Sequence, residues 1–141
     1  MKASEIRRFQ KSYGYSPTVL RVAIDAIAIF VEDSNPVKGL TLSQIDSIFS
    51  STRYCGGHQN ITNWSQLGID LARSDSSIQL FGRNSVSGTH GSFKLNGLCD
   101  GDFKNSVNEQ PGSASVVYSV ASNRRAIGYA PFGYKLSLIH I

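Results

Sequence analysis

The chain has 141 residues, 40% of them apolar, 17% charged and 10% aromatic, and carries a net charge of +4. That length suits a single domain. The aromatic and apolar content excludes a disordered tail, and the longest apolar run, Ala26 to Val31, falls far short of the roughly 20 residues that cross a bilayer.

In chain order, Ser4 is a candidate N-cap, Glu5 follows in the first turn, and Ile6, Phe9 and Tyr13 fall on one face. An amphipathic helix is therefore expected over 4–13, stopped by Gly14 and broken off by Pro17. Val19 to Ile24 and Ala26 to Val31 are rich in β-branched residues and read as strand bent around Asp25. Asn35-Pro36 and Gly39 make a loop. Thr41 and Gln44 have the spacing of a capping box, and Leu42, Ile45, Ile48 and Phe49 share one face of a helix expected over 42–50. From Ser51 to Ser77 the chain reads as loop, with a short turn that seats Trp64 and Leu67 in the core against that helix. A strand is expected from Ile78 to Gly82, a helix from Ser87 to Leu98, and loop from Cys99 to Ser113. Val116, Val117 and Val120 mark another short helix, and Ala126 to Tyr129 a last strand. Strands alternating with helices predict an α/β fold.

The basic excess favours anionic partners in general. The only adjacent basic pairs, Arg7-Arg8 and Arg124-Arg125, stand far apart, so nucleic acid, which calls for clustered charge between aromatics, is not an expected partner. One stretch concentrates anion chemistry. After the strand, Arg83-Asn84-Ser85-Val86 leads into Ser87-Gly88-Thr89 at the start of a helix. The first amides of a helix have no internal partner and sit at the positive end of its dipole. Gly88 admits an oxyanion to the backbone with no Cβ in the way. Ser87 and Thr89 add hydroxyls, and Arg83 is spaced to fold over the same point with a planar fork of donors. One cation, two hydroxyls and a few amides suit a tetrahedral oxyanion such as phosphate. Ser-Gly-Thr alone is an ordinary turn; Arg83 and the strand-to-helix setting are what tip the reading. No phosphate-cradling lysine motif and no nucleophile elbow is present. Cys55 and Cys99 are too few for a zinc site and lack the close spacing of one, which leaves either two buried thiols or one disulfide.

Several segments together resemble the phosphate-binding proteins of bacterial ABC-type phosphate importers, which are periplasmic solute-binding proteins. They are Val22 to Val31, Asn35-Pro36 with Leu40-Thr41-Leu42, Ile48-Phe49-Ser50, Ile61-Thr62-Asn63-Trp64, Gly82-Arg83 with Ser87-Gly88-Thr89, and Ala126-Ile127-Gly128-Tyr129. They follow the family's order across residues 3–135. The resemblance implies one lobe of a type II periplasmic binding protein fold, a mixed sheet flanked by helices, truncated at both ends. Residues 1–24 would be the end of a first lobe and a crossover strand, 25–126 the anion-binding second lobe, and 127–135 the return crossover strand. Arg83, Ser87, Gly88 and Thr89 would be the second lobe's share of an interlobe phosphate site, with Asp25 and Ser113 lining the cleft. Asp25 would accept from a proton-bearing oxyanion, or else cap a turn. An oxidising periplasm would favour a Cys55–Cys99 disulfide. The implied partners are inorganic phosphate and a membrane-embedded ABC permease, with the chain itself monomeric, not membrane-spanning, non-enzymatic and free of cofactor and metal. Rival readings are a binder of sulfate or molybdate, a phosphate-handling enzyme, and an adhesin or sensor on the same fold.

Leu136-Ser137-Leu138-Ile139-His140-Ile141 does not resemble natural protein and matches a translated sequencing adapter, so 136–141 is expected to be a non-native tail. Met1 is then open to being an internal methionine, with any signal peptide upstream of it. His58 and His90 are isolated from other metal-ligating residues and are expected to be surface or capping residues.

Overall fold

The computed structural model describes residues 3–20, 25–71 and 76–134. Helix α1 spans Ala3–Tyr13 and ends at Gly14, whose φ of +77° suits glycine and whose amide donates to the Gln10 carbonyl. Ser4 lies within this helix rather than at its cap. The helix buries none of its residues, and Phe9, Tyr13 and Tyr15 pack against one another beside it. Val19 and Leu20, expected in a strand, are exposed and without regular structure. Among the described residues no strand pairs with them, and a β-branched run takes up strand form only against a partner. Residues 21–24 of that expected strand, and the tail at 136–141, lie outside the described residues.

Strand β1 (Ile27–Val31), strand β2 (Gln79–Arg83), strand β3 (Val107–Gln110) and strand β4 (Ala126–Pro131) form one mixed sheet in the order β1-β4-β2-β3. β1 runs antiparallel to β4, whereas β2 is parallel to both β4 and β3. β3 is a strand in a stretch expected to be loop. It is an edge strand with only one apolar residue, and polar residues on an edge discourage pairing with other chains while hiding the strand's periodicity.

The sheet separates two apolar clusters, as period-2 alternation demands. Ala28 and Phe30 pack with Val116, Val117 and Val120 of helix α4 (Ser113–Ala121). Val31, Leu80, Ile127 and Tyr129 face helix α2 (Leu42–Phe49), helix α3 (Gly88–Gly97) and Trp64, which opens a short 3-10 turn over Trp64–Leu67. The Trp64 indole is fully buried and donates to the Arg125 carbonyl at 2.9 Å. At α2 the capping box forms as its spacing predicts: the Gln44 amide donates to Thr41 Oγ1, and the Thr41 amide to Gln44 Oε1. Ile48 and Phe49 are buried, but Leu42, expected on the same face, is half exposed because the first turn of α2 overhangs an open cavity. Cys55 and Cys99 are joined in a disulfide with a Cα–Cα distance of 5.2 Å, tying the loop after α2 to the end of α3.

Candidate functional site

Parallel strands β2 and β3 each run directly into a helix, β2 into α3 and β3 into α4. Both helix N-termini therefore lie toward the same edge of the sheet, the edge at which open α/β sheets place ligands. Arg83 is the last residue of β2 and pairs with Gln110, the last of β3. Between Arg83 and α3 the chain makes one turn, closed by the Ser87 amide donating to the Asn84 carbonyl at 3.0 Å. Ser87 is the N-cap of α3, and its Oγ accepts from the Thr89 amide at 3.2 Å. That bond uses one of the amides on which the sequence reading relied. Helix geometry leaves the Gly88 and His90 amides without an intrahelical acceptor, and the Ser87 hydroxyl keeps its proton to donate.

Arg83, Ser87, Gly88 and Thr89 line one cavity of about 810 Å³, which Asp25 also borders. A Cβ added at Gly88 would meet nothing within 4 Å, so the backbone there stands open to the cavity. Ile27 and Ile29 of β1 and Leu42 and Ile45 of α2 make the apolar wall. Ser113, expected in the same lining, is not part of it. It is buried, with 4% exposure, and accepts from Arg83 Nη1 at 2.8 Å. Arg83 Nη2 donates to the Pro111 carbonyl at 3.2 Å, and the Nε–H is buried with no partner among the described residues. Two helix N-termini and one guanidinium thus converge at this edge, with Asp25 as the carboxylate on the cavity rim.

The backbone of Arg83 is pinned from the other side. Its carbonyl lies 3.0 Å from His90 Nδ1 and 3.4 Å from the Tyr129 hydroxyl. A carbonyl only accepts, so His90 carries its proton on Nδ1 and serves the architecture of the site. Burial pushes the Tyr129 phenol far above its ordinary range, so it stays a neutral donor. The Tyr129 ring stacks on Phe93 with centroids 4.0 Å apart and passes under Gly82, where a Cβ would come within 2.6 Å of it. Glycine at 82 is thus what lets this aromatic stack run directly beneath the arginine. Sequence reasoning found neither the His90 and Tyr129 contacts nor the true place of Ser113. All three depend on which strands are neighbours, and no local motif carries that. Among the described residues no group of three metal-ligating side chains converges, and no helix is long and apolar enough to cross a membrane.

Residues 1–139 match the model of a PBP superfamily domain. The chain is 53% identical over 139 residues to the phosphate-binding protein PstS of Pseudomonas aeruginosa, a match covering 99% of this chain and 43% of that protein. Among solved structures, an ABC-type phosphate transport receptor from Vibrio cholerae superposes with a TM-score of 0.68 at 27% identity, over 82% of this chain and 44% of its own. A substrate-binding protein from Clostridium perfringens, assigned to phosphate ABC transport and solved with bound phosphate, gives 0.67 at 32% identity, over 82% and 43%. The chain thus spans less than half the length of the relatives it matches.

Proposed function

The chain belongs to the PBP superfamily, and from that membership we propose that it carries one side of an inorganic phosphate site in the receptor of an ABC importer. One observation carries the reading: Arg83, whose buried Nε–H has no partner among the described residues, lines the same cavity as the open N-terminus of α3. Phosphate oxygens would take the free guanidinium protons, the Ser87 and Thr89 hydroxyls, and the amides near Gly88, all donors held in place by the fold. An ionised Asp25 only accepts, so it would bond a phosphate oxygen that retains a proton and repel sulfate, which has none at neutral pH. The 53% identity to a phosphate-binding protein and the likeness to a phosphate-bound structure support this choice of anion.

On this reading residues 25–126 form the anion-binding lobe and 127–135 the return crossover. The apolar wall of Ile27, Ile29, Leu42 and Ile45 would meet the rest of the receptor when the cleft closes. The chain works as a non-enzymatic carrier in the periplasm, monomeric, handing phosphate to a membrane-embedded permease. Isothermal titration with inorganic phosphate and with sulfate tests it. Heat of phosphate binding that Arg83→Met removes, with no heat from sulfate, is the expected result. Equal response to both anions, or release of phosphate from a generic phosphoester, overturns it.

A further inference from the structure

Resting on that phosphate reading, we propose that Ser113, together with the Pro111 carbonyl, is a positioning residue that fixes the Arg83 guanidinium for the anion before any anion arrives. The parallel register sets Arg83 beside Gln110, so the turn from β3 into α4 brings Pro111 and Ser113 to the end of the arginine side chain. Ser113 is buried, and a buried hydroxyl needs a partner; its partner is Nη1 at 2.8 Å. Pro111 has no amide proton and offers only its carbonyl, which takes Nη2 at 3.2 Å. Bonds to both terminal nitrogens fix the plane of the guanidinium as well as its place.

The electrostatics make this clamp necessary. Gly112 caps α4 with no side-chain hydrogen bond, and the positive end of α4 lies beside the guanidinium that bonds Ser113. The full charge of the guanidinium and the partial charge of the helix end have the same sign and repel, and the hydroxyl and carbonyl acceptors offset that repulsion. With the clamp formed, the ordering cost of the arginine is met in the folded protein and is not charged against phosphate binding. Without it, the fork must be collected from many rotamers at each encounter.

The test uses the whole chain with inorganic phosphate as the probe. Ser113→Ala is expected to weaken binding about tenfold, the scale of one hydrogen bond to a charged group, while Ser113→Thr, which keeps the hydroxyl, stays within about twofold of the parent. Rotation of the Arg83 guanidinium, followed by nitrogen-15 NMR without phosphate, should be slow in the parent and in Ser113→Thr and fast in Ser113→Ala. If Ser113→Ala does not fold, Ser113→Cys, of similar shape but a weak acceptor, is read in its place. Unchanged guanidinium rotation in Ser113→Ala, or unchanged affinity of Ser113→Ala for phosphate, overturns the positioning role. Phosphate binding that survives Arg83→Met overturns the phosphate reading instead, and the rotation measurement then still decides whether Ser113 holds the arginine.

Discussion

Removing the disulfide separates the stability of the fold from the chemistry of the site. Cys55 and Cys99 are 44 residues apart in sequence, and Cys99 is exposed, so Cys55→Ser with Cys99→Ser loses little packing. The effect then falls mainly on the unfolded chain, which gains the freedom of an open loop. In the chain-entropy model a loop of this length is worth about 13 cal/mol/K, or about 4 kcal/mol at 25 °C. Net stabilities of single domains run to about 5–15 kcal/mol, so the loss takes a large share of the total. Cys99 and Asp100 both have left-handed backbone, with φ of +50° and +62°, a conformation that costs non-glycine residues energy and that the cross-link helps to hold. Urea unfolding followed by Trp64 fluorescence measures the outcome. With a slope of about 2 kcal/mol/M, the midpoint should fall by about 2 M, and the slope should rise as the unfolded chain expands. A midpoint within about 0.3 M of the parent, well inside that expected shift, refutes the reasoning.

Two further outcomes are expected. Gly88→Ala adds a methyl group to open space at the start of α3, so it should raise stability by about 0.4–1 kcal/mol through the unfolded state; the same methyl stands where an oxyanion approaches, and phosphate titration should show at least about a tenfold loss. Lys104 donates to the carbonyls of Ser47 and Ile61, and burial, with a smaller push from Arg53, lowers its pKa from 10.5 to about 8. Between those two values the unfolded chain binds the proton that the folded chain has released. Stability should therefore climb as pH rises from 8 to 10.5, and chemical denaturation of Lys104→Met should lack that part of the slope. An equal slope in both proteins contradicts the assignment to Lys104.

What was legible in the sequence was local. The capping box at Thr41 and Gln44, the stop at Gly14, and the strand-turn-helix around Arg83 and Ser87-Gly88-Thr89 all depend on neighbours a few residues apart, and each takes the form expected. What was not legible depends on pairing across the sheet. Val107-Asn108-Glu109-Gln110 has no alternation to mark it as a strand, yet it lies beside β2 and thereby carries Ser113 to Arg83. Spacing placed Arg83 over the helix terminus and the family resemblance placed Ser113 in the cleft lining; the register instead sets the Ser113 hydroxyl against Arg83 Nη1. Val19 and Leu20 show the converse, the described start of an expected strand that lies exposed and outside the sheet. His90, expected to be a surface or capping residue, lies 3.0 Å from the arginine carbonyl, and Gly82 makes room for the Tyr129 ring that stacks on Phe93.

Amide chemical shifts of the chain titrated with inorganic phosphate probe the meeting of Arg83 with the helix terminus most directly. Saturable shifts confined to Gly88, Thr89, His90 and the Arg83 side chain, and absent from Arg83→Met, are the expected outcome. Shifts spread over surface lysines, or an unchanged pattern in Arg83→Met, would contradict a phosphate site at the start of α3.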